Sequence, residues 1–419
     1  MLHKFYDVVI AHKDELADLL CHENGKPMKE ALGEIDYAAS YIRWFAEEAR
    51  RLSGHTLPGT ADDKRLMTIR QPVGVCGLMS AANFPAAMCT RKAAAALAAG
   101  CTVVAKLSTD CPLTFLAMAA LGQSIFPAGV LNALPCTGEN TRKMGELLCK
   151  DQRVGKISFT GSTGAGRVLM SQAAESVSKI SLELGGNAPF IVMADADIPA
   201  AVEGYLAAKL RHSGQTCVCA DRLYLHTDIH DQFMELLVPK VRALKLGPGY
   251  EEGSDIGPML HERGVEKARA HVQQAIDAGA KVLVGGLDAE LPAGGGFWFA
   301  PTILTDLSGK EDVVVEENFA PIIAVQRFSS AEEVIEAANA CEVGLAGYLY
   351  TRDIATAWRM SEELQVGMVG INTGIISSAT APFGGIKQSG FGREGGPGSI
   401  LEYTNEKTMT FGGISVPGL

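Results

Sequence analysis

The chain has 419 residues, 47% hydrophobic, 20% charged and 6% aromatic, which is the composition of a globular protein too long for one small core. A net charge of -11 excludes a nucleic-acid surface, which needs a basic face, but not a local basic pocket for a small anion. No apolar run approaches the roughly 20 residues of a membrane span, and ten cysteines without framework spacing fit a reducing compartment.

The opening MLHKFYDVVIAHKDELADLL carries acids throughout and lacks the apolar core of a signal peptide, so it reads as a helix already under way. Phe5, Val8, Val9 and Leu16 recur near helical spacing, and IDYAASYIRWFAEEARR is a second amphipathic run. GHTLPG breaks it, and RLMTIRQPVG reads as an extended arm. From Val73 the pattern changes. VGVCGLMS, CTVVAKL, LNALPC and VGKISFTGS are short apolar strands, separated by the helices PAAMCTRKAAAALAAG (closed by Gly100), PLTFLAMAALGQSI and TRKMGELLCK. Such alternation predicts an α/β fold with a parallel, doubly wound sheet. After SKISLELGG it restarts at PFIVMADAD and continues to about Gly370, predicting a second α/β domain. The tail LEYTNEKTMTFGG alternates like an edge strand that needs cover.

Three stretches carry candidate chemistry. In GQTCVCADR, Cys217 and Cys219 lie one residue apart. The preceding AAVEGYLAAKLRHSG reads as a helix that buries Val202, Tyr205, Leu206 and Leu210 and ends at Gly214, leaving Cys217 in the next turn. A new helix starting there would lower the thiol pKa through its N-terminal dipole. The alternatives are a small buried hydrophobe or half a metal site; His212 is near, but no second ligand cluster follows, so no metal is expected. A papain-type hydrolase would need a partner histidine, and nothing beyond their presence supports His226 or His230. In SLELGGNAP, Glu183 ends an apolar strand beside two glycines; so apolar a setting should raise its pKa to suit a general base, the alternatives being a helix cap or a structural ion pair. FTGSTGAGR is a strand leading through glycines into a helix, the kind of N-terminus that suits a phosphate, although its G-x-x-G-x-G spacing is not the dinucleotide fingerprint.

These three stretches occur in order with NFP (Asn83 to Pro85) and PFGGIKQSG (Pro382 to Gly390), and together they resemble the aldehyde dehydrogenase superfamily over essentially the whole chain. KLRHSGQTCVCADRLY, INTGIISS and PFGGIKQSGFGREGG are most similar to its succinate-semialdehyde dehydrogenase branch. The resemblance implies a Rossmann-type cofactor domain (1–53 and 73–184), an α/β catalytic domain (185–398) and a small β oligomerisation arm (54–72 and 399–419). It implies NAD(P)-dependent oxidation of an aldehyde. Cys217 is then the nucleophile, Asn83 and the Cys217 backbone N–H hold the oxyanion, and Glu183 activates water. Residues expected at NADP or NAD are Ala82, Lys106, Ser108, Thr109, Gly138, Gly161, Ser162, Leu184, Glu317 and Phe319. Thr109 stands where many NAD-preferring relatives carry a glutamate, which removes repulsion against a 2′-phosphate. Arg91, Arg211 and Ser377 match the residues that bind the far carboxylate of succinic semialdehyde, the arginines through directional charge-assisted hydrogen bonds. Another short aldehyde, or a catalytically impaired homologue, is the alternative.

The chain begins inside a helix where the family has an additional opening segment, SAANFP has Ala81 and Ala82 in place of an aromatic and a proline, and Leu107 and Ala320 replace a proline and a glycine. The expected assembly is a homodimer or homotetramer. The expected compartment is the cytoplasm, or the mitochondrion if a leading segment is missing. Cys219 is not needed for the chemistry; it is expected to act as a redox partner of Cys217, forming a strained, easily reduced disulfide.

Overall fold

The computed structural model describes residues 1–293 and 295–414. Among these, one parallel sheet has the strand order Lys179–Glu183, Val154–Thr160, Val75–Met79, Thr102–Lys106, Leu131–Leu134. The order reverses beside Val75–Met79, making a topological switch point whose carboxyl ends form a natural crevice. Three helices, Leu2–Ala11, Lys13–Asn24 and Met28–Glu48, pack on this sheet through Phe5, Val9, Leu20, Ile35, Ile42 and Phe45, all buried. The helix Pro85–Ala98 lies between them and the sheet, buried from Pro85 to Ala96. Its alanines let backbones approach closely, and Arg91 and Lys92 are carried into the same interior. Gly100 follows its C-cap in the left-handed region (φ 87°), as expected of a helix stop.

The second sheet runs Lys281–Val284, Thr302–Thr305, Ile322–Phe328, Arg222–His226, Pro189–Val192, Ala346–Tyr350, Met368–Ile371, parallel except at Lys281–Val284. Its strands Pro189–Val192 and Arg222–His226 are buried at nearly every position, which is why they read as continuous apolar runs. The amino-terminal ends of these strands face the carboxyl ends of the first sheet, linked by the short passage from Glu183 to Pro189.

A third sheet pairs Thr56–Leu57, Arg65–Pro72 and Thr404–Phe411 antiparallel. The expected tail strand thus has Arg65–Pro72 as partner along its whole length; residues 415–419 of the expected arm lie outside the described residues. One domain boundary needs correction. Gly390–Phe391, placed with the catalytic domain by sequence, pairs antiparallel with Lys179–Glu183 and extends the first sheet. Ile400 and Tyr403 also join the first core, just ahead of the strand Thr404–Phe411. No helix among the described residues is long and apolar enough to cross a membrane.

Candidate active site

The cleft between the two sheets has a volume of about 580 Å³, within the range of small-molecule sites. A narrower cavity lies behind it, and the two share Asn83 and Cys217. Cys217 is therefore accessible from both sides, while neighbouring Cys219 is buried.

The helix leading to Cys217 is Ile198–Lys209, which buries Val202 and Tyr205; it stops short of the expected end at Gly214. His212, Ser213 and Gly214 adopt left-handed backbone (φ 49°, 55° and 76°), and the His212 N–H donates to Glu30 Oε2 at 2.8 Å. No new helix follows: Thr216 to Cys219 form a turn closed by Cys219 N–H to Thr216 O (3.0 Å), and the strand Arg222–His226 comes next. The expected dipole is absent, and burial pushes the Cys217 thiol up to about 12, with Glu317 and Glu183 adding to the rise and Arg91 and Arg211 opposing it. The turn is held by Tyr348, whose hydroxyl donates to Val218 O at 2.8 Å, and by Asn83, whose Nδ2 donates to Gln215 O at 3.0 Å. Glycine at 186 is a steric requirement: a Cβ there would sit 2.2 Å from the Cys217 carbonyl oxygen. Cys219 Sγ turns away, donating to Lys209 O at 3.4 Å, so pairing with Cys217 would require this turn to rearrange. Among the described residues no group of histidine, cysteine or carboxylate side chains is arranged for a metal. His226 and His230 pair with Asp228 and Asp231 instead.

Glu183 closes its strand, 2% exposed, and lines neither cavity. Both carboxylate oxygens lack a hydrogen-bond partner among the described residues. Burial holds its carboxyl well above the usual range, Glu394 adds to the rise, and Arg91, Lys92 and Arg393 pull the other way. The alternatives of a cap or an ion pair are not what the geometry shows.

Of the residues expected at a cofactor, Ala82, Ser108, Gly161, Ser162, Leu184, Glu317 and Phe319 line the cleft, with Ala81 beside them. Lys106, Thr109 and Gly138 do not: Lys106 is buried at its strand end, Thr109 lies between two lining residues, and Gly138 is exposed at the start of the helix Gly138–Lys150. Ser162 caps the helix Thr163–Ala174 by accepting from Ala165 N–H at 3.3 Å, which leaves a helix N-terminus facing the cleft at the sheet's switch point. Glu317 accepts from Gly186 N–H at 2.8 Å, and burial pushes its carboxyl up to about 7 against that pull. Phe319 has φ 54°, unusual for an aromatic, and adjoins Asn318, which is buried and bonded to Asp221, His271 and Val313. The cleft size, the free helix N-terminus and these lining residues fit a dinucleotide.

The narrow cavity is lined by Arg91, Arg211 and Ser377. Arg91 is fully buried, its guanidinium 4.3 Å from the Phe383 ring centroid and paired through Nε with Glu394, which also pairs with Lys92. Burial alone would raise the Glu394 carboxyl, but Arg91 and Lys92 hold it below the usual carboxylate range. Neither Nη of Arg91 has a hydrogen-bond partner among the described residues, nor does Nε of Arg211, whose guanidinium lies 5.3 Å from the Phe84 ring centroid.

Sequence reasoning missed Glu394, Tyr37, Phe383, Arg263 and Lys267. Glu394 stood in the GREGG segment, where nothing local marks it as a partner for Arg91. Tyr37, bonded through its hydroxyl to Tyr41 at 2.5 Å, read as part of an amphipathic helix but lines the narrow cavity. Arg263 and Lys267, one helical turn apart, line the cleft from the catalytic side.

The family model for the aldehyde dehydrogenase family matches residues 1–409. The chain belongs to the aldehyde dehydrogenase family. It is 49% identical over 413 residues to the succinate-semialdehyde dehydrogenase [NADP(+)] GabD of Escherichia coli (strain K12), covering 98% of this chain and 84% of that protein. It is 47% identical over 416 residues to the mitochondrial succinate-semialdehyde dehydrogenase of Rattus norvegicus, covering 99% of this chain and 79% of that protein. Among solved structures, the succinate-semialdehyde dehydrogenase of Burkholderia pseudomallei superposes with a TM-score of 0.95 at 47% identity, covering 98% of this chain and 84% of that one. Aldehyde dehydrogenases of this family work through a cysteine, and in this chain Cys217 lies where the two cavities meet.

Proposed function

We propose that this chain oxidises succinic semialdehyde to succinate with NADP or NAD as the oxidant. The observation that carries the reading is a single cysteine between a dinucleotide-sized cleft and a narrow cavity with two guanidiniums. Cys217 releases its proton to solvent through the open cleft, and the thiolate adds to the aldehyde carbon, forming a C–S bond as the carbonyl π bond opens onto oxygen. The resulting oxyanion is held by the Asn83 amide and the Cys217 backbone N–H, a contribution on the order of 3 kcal/mol per donor. A nicotinamide held in the cleft would supply the two-electron oxidant, accepting the hydride from this carbon so that it becomes a thioester. Glu183 takes a proton from water, which attacks the thioester; the C–S bond breaks and succinate leaves with the thiol restored.

Gly161 and Ser162 would hold the pyrophosphate, Glu317 the nicotinamide ribose and Phe319 the ring. Lys106, Ser108 and Thr109 would take the adenosine end, and Ala82, Gly138 and Leu184 complete the proposed cofactor contacts. The neutral Thr109 favours acceptance of a 2′-phosphate. Arg91, Arg211 and Ser377 would hold the substrate's far carboxylate, a role supported by the unpaired guanidinium nitrogens in the narrow cavity. Assembly as a dimer or tetramer is proposed through the Arg65–Pro72 and Thr404–Phe411 sheet, which exposes Met67 on its central strand and Phe411 on its edge strand. Ten free thiols suit a reducing compartment such as the cytoplasm. The test is formation of reduced nicotinamide by purified protein with succinic semialdehyde, and with an uncharged aldehyde of the same length, using each cofactor in turn. No reduction with either cofactor, from folded protein, overturns the proposal.

A further inference from the structure

Behind Asn83, outside both cavities, lie three charged side chains that the reaction does not use. Lys26 is fully buried and Glu34 is 3% exposed. The Lys26 ammonium donates to Glu34 Oε2 at 2.5 Å and to the backbone carbonyl of Asn83 at 2.8 Å, and it sits 4.0 Å from the Phe84 ring centroid. The other oxygen of Glu34 accepts from Ala86 N–H at 2.9 Å and Ala87 N–H at 3.3 Å, the first amides of the helix that carries Arg91. One turn earlier on Met28–Glu48, Glu30 accepts from His212 N–H at 2.8 Å, in the left-handed passage that leads to Gln215 and Cys217. The two arms meet where Asn83 Nδ2 donates to Gln215 O.

One face of one helix therefore grips both the oxyanion segment and the nucleophile segment. An ion pair this deeply buried gains little over a well-packed apolar pair of the same volume. What it adds is direction: an ammonium aimed at one carboxylate oxygen, one carbonyl and one ring face fixes the peptide that carries Asn83. We propose that Lys26 is a positioning residue for Asn83, setting the aim of the oxyanion-holding amide from outside the reacting groups. The inference rests on the role given to Asn83 above.

The experiment is a double-mutant cycle on the full chain, reading the single-turnover rate of nicotinamide reduction at saturating cofactor. Lys26→Met, in the parent, should slow that rate by roughly 10²-fold, the scale of losing one oxyanion donor, with the KM for cofactor within about twofold of the parent. In an Asn83→Ala background the same change should cost less than about threefold, because the donor it positions is gone. Lys26→Arg, which keeps the charge, should recover part of the loss. Equal factors in both backgrounds overturn the inference. If Lys26→Met does not fold, Glu34→Gln, which keeps the shape and weakens the hold on Lys26, carries the same cycle to the same criterion. Full activity in Asn83→Ala alone would refute the role of Asn83 itself, a separate and recognisable failure.

Discussion

Arg211→Met is the sharpest probe of the proposed carboxylate pocket. The obvious alternative, Arg91→Met, would strip the buried Glu394 of a partner; breaking such a pair costs about 3–5 kcal/mol, so lost activity could not be told from lost structure. Arg211 is half-buried, pairs with no carboxylate among the described residues, and rests on Phe84 through a face that methionine can also cover. A charge-assisted hydrogen bond contributes about 1.5–3 kcal/mol, and each ~1.4 kcal/mol is tenfold. The expected loss in kcat/KM for succinic semialdehyde is thus about 10- to 100-fold, mostly in KM. Butanal, with no far carboxylate, should lose no more than about threefold on the same arithmetic. The KM for cofactor should be unchanged, because Arg211 does not line the cleft. The assay is absorbance of reduced nicotinamide at matched unfolding midpoints. Equal losses on the two aldehydes would refute the carboxylate assignment.

Glu183→Gln should leave a burst of about one equivalent of reduced nicotinamide per site followed by a stall, since water attack loses its base; steady turnover without a burst would count against that role. Because burial raises the Glu183 carboxyl, the base is protonated below that raised value, so thioester hydrolysis should accelerate as pH rises through it, and Glu183→Gln should abolish that limb of the profile. Gly186→Ala forces a methyl to 2.2 Å from the Cys217 carbonyl, so the midpoint should fall by the equivalent of about 1–3 kcal/mol and the rate should drop with it; an unchanged rate would show the turn to be pliable. Thr109→Glu should cut kcat/KM for NADP by on the order of tenfold while sparing NAD, by like-charge repulsion, and a parallel fall for both cofactors would exclude Thr109 from the 2′-phosphate. Peroxide should inactivate the parent reversibly and Cys219→Ala irreversibly, as judged by activity after added thiol; identical recovery would remove the redox pairing of Cys217 with Cys219.

Local pattern made the strand–helix alternation legible, because strands such as Val75–Met79 are buried on both faces and helices such as Pro85–Ala98 end at a glycine. Glu183, Gly186 and Cys217 could be found because short motifs carry them. The end of the helix before Cys217 was misread because LRHSG contains no breaker before Gly214; Glu30, far away in sequence, captures the His212 N–H and bends the chain at Leu210. Glu394 stayed hidden for a related reason: its meaning depends on Arg91 and Lys92, about 300 residues away, and buried ion pairs leave no period in a sequence. The absent second helix shows the limit of reading a thiol's environment from its neighbours. Its pKa is set by how deeply it is packed, which only the assembled loops decide.

The pairing of Gly390–Phe391 with Lys179–Glu183 has a consequence during synthesis. A strand bearing the proposed base is made some two hundred residues before the segment that pairs with its outer edge at Leu182 and Glu183. Until that segment leaves the ribosome the nascent chain carries an open, partly apolar β-edge, a template for pairing with other chains. A prematurely terminated or stalled product that ends before Gly390 would keep that edge permanently, so aggregation of such fragments should begin at Lys179–Glu183.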